Sequence, residues 1–432
     1  SCRRRRAPRS CRRRRSAAAA AAAARKLYKA GEDEGDEPVR LRIVDARPKV
    51  NADANKLRGG GCEGARYNSV ATLEYSNIAN IHVMRKSFAK LREAMSSMSH
   101  ADGGGNSGGG GGGGGSGESA SSPRRHHHHH HHHKSDGAGT VAAASAAMAA
   151  TSGIAAPAAS VDDAALVAAA APSQWLEHSK KILESALKVV DYLSKQQYSV
   201  LLHCSDGWDR TAQVSALVQL MCCPQYRTIT GFAKLICKSW LCFGHKFAQR
   251  LGFDDGGDDA VAAQPASANA AKKLANSGDK QRSPVFVQFI DCVYQVLRQC
   301  PRGTFEFTEH LLLHIVRTAH MCLFGTFLKN SHGARQRHAL PQATPSCWSA
   351  LVLGVGELYR EDKFAGGTDG EVAKYVDVDQ LVVWRLLHCS PRNLLARSPL
   401  MVGGSGTLQQ YHVGVVDAAQ WLHAHHRYCS GQ

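Results

Sequence analysis

Apolar and polar positions alternate in two different rhythms along this chain. In "VRLRIVDARP" the residues Leu41, Ile43 and Val44 mark a strand that ends at Arg47-Pro48, where proline removes a backbone donor. A second short strand is expected around Leu73 to Ser76, followed by a turn and a helix near His82 to Met95. Ser173 has a side chain suited to an N-cap. After it Trp175, Leu176, Ile182, Leu183, Ala186, Leu187 and Val190 recur at helical spacing. That helix leads to a strand, Ser199 to Leu202, and then Ala212, Val214, Leu217, Leu220 and Met221 pattern a buried helix. The later part reads as helices from Pro284 to Gln299 and from Thr308 to Leu323. Strands interleaved with helices define an α/β domain, a central twisted sheet flanked by helices.

Three low-complexity blocks interrupt the pattern. Residues 1–37 are an Arg/Ala/acidic arm. Residues 96–172 hold Gly108 to Gly115, the tract His126 to His133 and a long Ala-rich stretch; residues 254–280 are rich in Asp, Gly and Ala. Such composition buries too little apolar area to offset chain entropy, so these blocks are expected to be disordered. The His tract has nothing around it to fix a metal geometry. Three ordered pieces are left: Pro38 to Met95, Ser173 to Phe253 and Gln281 to Trp384. None is self-sufficient in size, so one domain is expected over residues 38–384, with insertions at 96–172 and 254–280. Residues 385–432 form a tail without a readable pattern.

Charge refines this picture only slightly. The 432 residues carry 53 Lys and Arg against 36 Asp and Glu, a net charge of +17. Nine of the arginines fall in "SCRRRRAPRSCRRRR", a solvated arm, so no nucleic-acid partner is expected. Fourteen cysteines lie scattered in apolar segments without a disulfide framework, which suits buried thiols in a reducing compartment. Cys222 and Cys223 are adjacent, a poor spacing for chelation, and neither a metal nor an organic cofactor is expected. The alanines after the arginine arm are too weakly apolar for a signal peptide, and the sequence does not begin with Met. No run of about eighteen strongly apolar residues occurs, so any membrane contact is expected to be peripheral.

The chemistry concentrates in "SVLLHCSDGWDRTAQVSALVQLM". An apolar strand ends in His203-Cys204; Arg210 and Thr211 open a helix six residues later. A loop between strand and helix can aim successive N–H groups inward, here those of Ser205, Asp206, Gly207 and Trp208, and the helix N-terminus adds partial positive charge. The same field favours the thiolate of Cys204, the nucleophilic form. Arg210 offers a planar fork for two phosphate oxygens. The expected chemistry is phosphoryl transfer to sulfur and hydrolysis of the phosphocysteine. A bare Cys-x5-Arg spacing arises easily by chance. "LLHCSPRNLL" is a decoy, because the residue six positions after Cys389 is Leu395; Cys389 is taken as a structural thiol.

The motif "HCSDGWDRT" resembles the active-site signature of the myotubularin phosphatases, Cys-based enzymes acting on inositol lipids. "DARPKVNADANKLRGGGCE", "NIANIHVMRKSFAKL", "QWLEHSKKILESAL" and "YRTITGFAKLICKSWLCFGHKFAQRLG" are similar to family segments on either side, and the likeness runs from about Leu41 to Asn330. The resemblance implies a protein-tyrosine-phosphatase-like fold with Cys204 as nucleophile, Arg210 as phosphate clamp and Asp209 as a general acid inside the loop. No Trp-Pro-Asp triplet offers an alternative acid, and a protonated Asp209 beside a phosphate is the economical expectation. It further implies that Asn55, Asn80 and Ile81 line the headgroup site and that Arg250 faces a second ring phosphate. Asp45 and Arg47 are expected to stabilise the domain.

The implied activity is removal of the 3-phosphate from phosphatidylinositol 3-phosphate and the 3,5-bisphosphate. The implied partners are phosphoinositide lipids at a membrane surface and other myotubularin copies, like or unlike. The implied location is cytoplasmic, with peripheral association to endosomal-type membranes. Family members normally carry a PH-GRAM lipid-binding domain before the phosphatase, and the Arg/Ala arm is expected to stand in that place. Two other readings remain open: a protein tyrosine or dual-specificity phosphatase, and a catalytically impaired scaffold.

Overall fold

Three short parallel strands set the frame: β1 (Leu41–Asp45), β2 (Ala71–Tyr75) and β3 (Ser199–His203), ordered β2-β1-β3. Leu41 pairs with both Ala71 and Ser199, and Asp45 with both Tyr75 and His203, so the strands end at one level. The computed structural model describes residues 41–57, 71–101, 162–253, 281–321, 324–348, 359–364 and 372–389. The architecture is mixed α/β, a small parallel sheet with many helices.

Parallel strands require crossover connections. Here α1 (Lys49–Leu57) follows β1 and α2 (Ile81–Ala101) follows β2. The ladder extends past the strand ends through Ala46 N–H to His203 O at 2.8 Å and Ile78 N–H to Ala46 O at 3.1 Å. Asp45 and Arg47, both buried, close the β1 end as an ion pair with Nη2 2.6 Å from Oδ2. A buried pair this well matched is costly to break from one side, and it accounts for the "DARP" turn without a substrate.

The sheet's helices carry the core. In α4 (Trp175–Ser194), Trp175, Ile182, Leu183, Ala186 and Val190 are buried, as the periodicity predicts; Leu176 and Leu187 are half-buried, and Val189 is buried as well. α5 (Arg210–Cys222) packs on α4, and α8 (Val285–Gln299) is buried over most of its length. Between α6 (Ile229–Ile236) and α7 (Phe247–Leu251) lies a π-helical segment, Cys237–Cys242, which no sequence period announces. It puts Trp240 against Phe286 and Phe289, with ring centroids 5.0 and 4.9 Å apart. Cys204, Cys292 and Cys347 are free buried thiols.

The boundaries differ from expectation in five places. β2 starts two residues earlier, and α2 runs on to Ala101 rather than stopping at Met95. The end of the Ala-rich block folds: α3 (Asp163–Ala170) is helical, with Leu166 and Ala170 buried and Asp162 capping Ala164 N–H at 3.3 Å. Ser173 belongs to a 3-10 turn, Ala171–Ser173, and its Oγ accepts from Trp175 N–H at 3.1 Å. Finally, the tail begins inside the fold. α9 (Glu309–Met321), α10 (His332–Arg337), α11 (Leu340–Ala343) and α12 (Arg385–His388) complete the helices, and His388 Nε2 of α12 lies 3.0 Å from buried Asp291 Oδ2. The expected arm at 1–37, the insertion at 254–280, most of 96–172 and the tail beyond 389 lie outside the described residues. Among the described residues no helix is long and apolar enough to cross a membrane.

Candidate active site

All three strands run in parallel and end together, so the segments that follow them meet at one edge, the position where open α/β sheets bind ligands. Asn55 comes from α1, Asn80 and Ile81 from the start of α2, and the loop 204–209 from the end of β3. α7 adds Arg250 from the far side. A cavity of about 280 Å³ opens at this edge, between the start of α2, the loop after β3 and Arg250.

Cys204 lies at the wall of this cavity, largely buried, and its Sγ accepts from Gly207 N–H at 3.3 Å. Gly207 has φ +89°, a conformation that favours glycine. Arg210, first residue of α5, folds back under the loop: Nη2 donates to Ser205 Oγ at 3.0 Å and Nη1 to Ile78 O at 3.4 Å. The thiol and guanidinium therefore bracket one loop, as the Cys-x5-Arg spacing predicts.

Asp209 occupies the N-cap position of α5 yet makes no side-chain cap. Its carboxylate is taken elsewhere, so the first N–H groups of α5 are left without that acceptor, and such groups attract anions. Arg250 Nη2 donates to Oδ2 at 2.7 Å and Nε to Oδ1 at 3.1 Å. His245 Nδ1 lies 3.2 Å from Oδ1 and 2.9 Å from Trp208 O. Burial pushes the Asp209 carboxyl up, but the His245 hydrogen bond and the Arg250 charge outweigh it and hold the group well below the usual 3.8. The expected protonated carboxyl is thus an ionised one in this arrangement, because a bidentate cation faces it.

The cavity brings together Cys204, Asp206, Trp208, Asp209 and Arg210 with Asn80, Ile81 and Arg250. Asn55, Ser205 and Gly207 stand beside it; Asn55 Nδ2 reaches Ser205 Oγ at 3.4 Å. Asn80 Oδ1 accepts from His82 N–H at 3.0 Å and Val83 N–H at 3.2 Å, and so caps α2. Arg250 lines the cavity but is 4% exposed, with Nη1 donating to Gln281 O at 3.1 Å. Sequence reasoning missed His245, Lys246 and His82. The first two lie in "FGHKFAQR" beside Arg250, the signal that could have found them. Lys246 Nζ sits 4.8 Å over the Trp208 ring. His82 at the mouth loses basicity, first through burial and then through the positive field of Arg85, Arg250 and Lys86. That field suits an anionic ligand.

The family profile described as "Myotubularin-like phosphatase domain" matches residues 8–336, about three quarters of the chain. The chain belongs to the myotubularin-like phosphatase family. It is 35% identical over 312 residues to myotubularin from Xenopus laevis, covering 72% of this chain and 38% of that protein. It is 35% identical over 345 residues to myotubularin from Rattus norvegicus, covering 80% and 44%. With a Bos taurus protein named phosphatidylinositol-3,5-bisphosphate 3-phosphatase it shares 36% over 335 residues, 76% of this chain and 38% of the relative. The chain therefore spans less than half the length of these curated myotubularin relatives. Among the described residues no cluster of three or more His, Cys, Asp or Glu side chains could hold a metal ion.

Proposed function

We propose that this chain is a phosphoinositide 3-phosphatase, acting on phosphatidylinositol 3-phosphate and on the 3,5-bisphosphate through a phosphocysteine at Cys204. The observation that carries the reading is one loop joining Cys204, Arg210 and Asp209 around a single cavity at the sheet's carboxyl edge. The strand–loop–helix setting of Cys204 supports a catalytic unit built like that of the protein-tyrosine phosphatases. The family and the name of the Bos taurus relative support the substrate class.

In this reading Cys204 attacks the phosphorus while the loop amides of residues 205–209 and Arg210 hold the equatorial oxygens. Preorganised donors of that kind typically contribute about a hundredfold to a thousandfold each. The inositol oxygen leaves with a proton from Asp209. The entering phosphate carries negative charge next to the carboxylate and competes for Arg250; both effects raise Asp209's proton affinity. In the second step the ionised Asp209 takes a proton from water, which attacks the phosphocysteine. Asn55, Asn80 and Ile81 bound the headgroup. A second ring phosphate that reaches Arg250 shares the guanidinium with Asp209.

Such a substrate is met at a membrane surface, so the reading includes peripheral contact with endosomal-type membranes from the cytoplasm and assembly with other myotubularin copies. Acid quenching during turnover of short-chain phosphatidylinositol 3-phosphate tests it. A phosphoryl group on Cys204, absent in Cys204→Ser, is expected. Steady turnover with no modified Cys204 at any quench time would contradict the covalent route.

A further inference from the structure

We infer that His245 is a positioning residue for Asp209, tying the carboxylate to the Trp208 carbonyl so that one oxygen is left to deliver the proton. This rests on the reading of Asp209 as general acid given above.

The His245 side chain has no solvent exposure. Its ring stands edge-on to Trp240 and to Phe247, each centroid 4.7 Å away, and the backbone N–H of His245 donates to Trp240 O at 2.9 Å. The ring is fixed. Nε2 is buried with no hydrogen-bond partner among the described residues. A buried polar atom left unpaired is costly, and phenylalanine or leucine would fill an aromatic box as well. The other nitrogen supplies the compensation: Nδ1 faces Trp208 O at 2.9 Å and Asp209 Oδ1 at 3.2 Å. These are the two residues before Arg210, so one N–H sets both a main-chain carbonyl of the phosphate loop and the carboxylate beside it.

His245 and Arg250 divide the task. Arg250 lines the cavity and is open to competition by a phosphate; His245 does not line it and holds on. Oδ1 receives His245 and Arg250 Nε, whereas Oδ2 receives Arg250 Nη2. Once Arg250 turns to substrate, Oδ1 keeps a donor and Oδ2 is the oxygen that carries the proton. As the sulfur–phosphorus bond forms and the phosphorus–oxygen bond breaks, the electron pair passes to the inositol oxygen and the Oδ2 proton neutralises it.

The test compares leaving groups. Short-chain phosphatidylinositol 3-phosphate expels an alkoxide and needs the proton; para-nitrophenyl phosphate expels a stable phenolate and does not. For His245→Phe, kcat on the lipid is expected to fall about tenfold to a hundredfold, at or below the lower end of what general acid catalysis usually contributes, because the acid is misplaced rather than removed. KM should stay within about threefold, and the aryl rate within about threefold. His245→Asn keeps an amide N–H near the place of Nδ1 and should recover most of the lipid rate; His245→Gln, whose amide lies deeper, should not. If His245→Phe fails to fold, the Asn and Gln pair carries the same comparison. Equal losses on both substrates, or equal rates for Asn and Gln, would overturn the inference while leaving the phosphatase reading intact. A parent chain inactive on both substrates would overturn that reading and the inference together.

Discussion

Arg250 and Asp209, 41 residues apart in sequence, meet through two hydrogen bonds of 2.7 and 3.1 Å beside the Cys204 loop. The pair links the segment after the π-helical turn to the phosphate loop. Arg250→Ala leaves Asp209 with His245 alone, and a charged hydrogen bond of this kind is worth about 1.5–3 kcal/mol. We expect kcat/KM to drop about tenfold to a hundredfold on the 3-monophosphate. A further drop on the 3,5-bisphosphate would measure the additional contact to the second phosphate. Assays of both short-chain lipids with parent and variant give the two numbers. An unchanged rate on the monophosphate would mean that the pair does not set the loop.

Cys204→Ser keeps the loop amides and Arg210 but replaces the thiol by a hydroxyl, a much weaker nucleophile. Turnover should vanish while binding of short-chain lipid, read by calorimetry, stays within about threefold, because the anion's donors remain. A residual rate within about tenfold of the parent, a barrier change of only about 1.4 kcal/mol, would remove Cys204 from the nucleophile's role.

Acid should destabilise the fold through a buried histidine. Burial pushes His320 down to about 4 from the ordinary 6.5, with a smaller downward push from Arg92; a bond from Nδ1 to Val316 O at 2.8 Å opposes them. A depressed value means that the unfolded chain binds the extra proton first. The contribution to stability is therefore complete above about pH 6.5 and is lost as pH falls toward 4, by up to about 3 kcal/mol. Urea unfolding at pH 7.5 and pH 5 should show this loss in the parent, and a smaller one in His320→Leu. Equal losses in the two proteins would assign the acid sensitivity elsewhere.

Much of this was legible in the sequence, and the reasons are local. β1, β3, α4 and α5 declare themselves because each carries a concentration of apolar residues, and Pro48, Cys204 and Arg210 mark the end of β1, the end of β3 and the start of α5. The loop was legible because a strand end, a glycine and an arginine at a helix start have one common use. The Asp209–Arg250 and Asp209–His245 contacts were not, since pairing over tens of residues depends on how a π-helical segment aims its neighbours. α3 was hidden for a different reason. Eight residues dominated by alanine look like low complexity, yet Leu166 and Ala170 find a buried surface and Arg385 Nη2 meets Asp163 Oδ1 at 2.7 Å.

That helix supplies a prediction of its own. Leu166→Ala should cost about 2–5 kcal/mol, the range for truncating a buried leucine, and lower the melting temperature by several degrees. Ala165→Ser, at an exposed position of the same helix, should stay within about 0.5 kcal/mol of the parent. Comparable effects from both would show that α3 does not pack on the domain.

Phosphate release across a panel of short-chain phosphoinositides tests the central claim most directly. The parent chain should release phosphate from phosphatidylinositol 3-phosphate and the 3,5-bisphosphate. It should leave the 4- and 5-monophosphates intact, and Cys204→Ser should release none. Equal release from every isomer, or faster release from a phosphotyrosine peptide than from either 3-phosphorylated lipid, would contradict it.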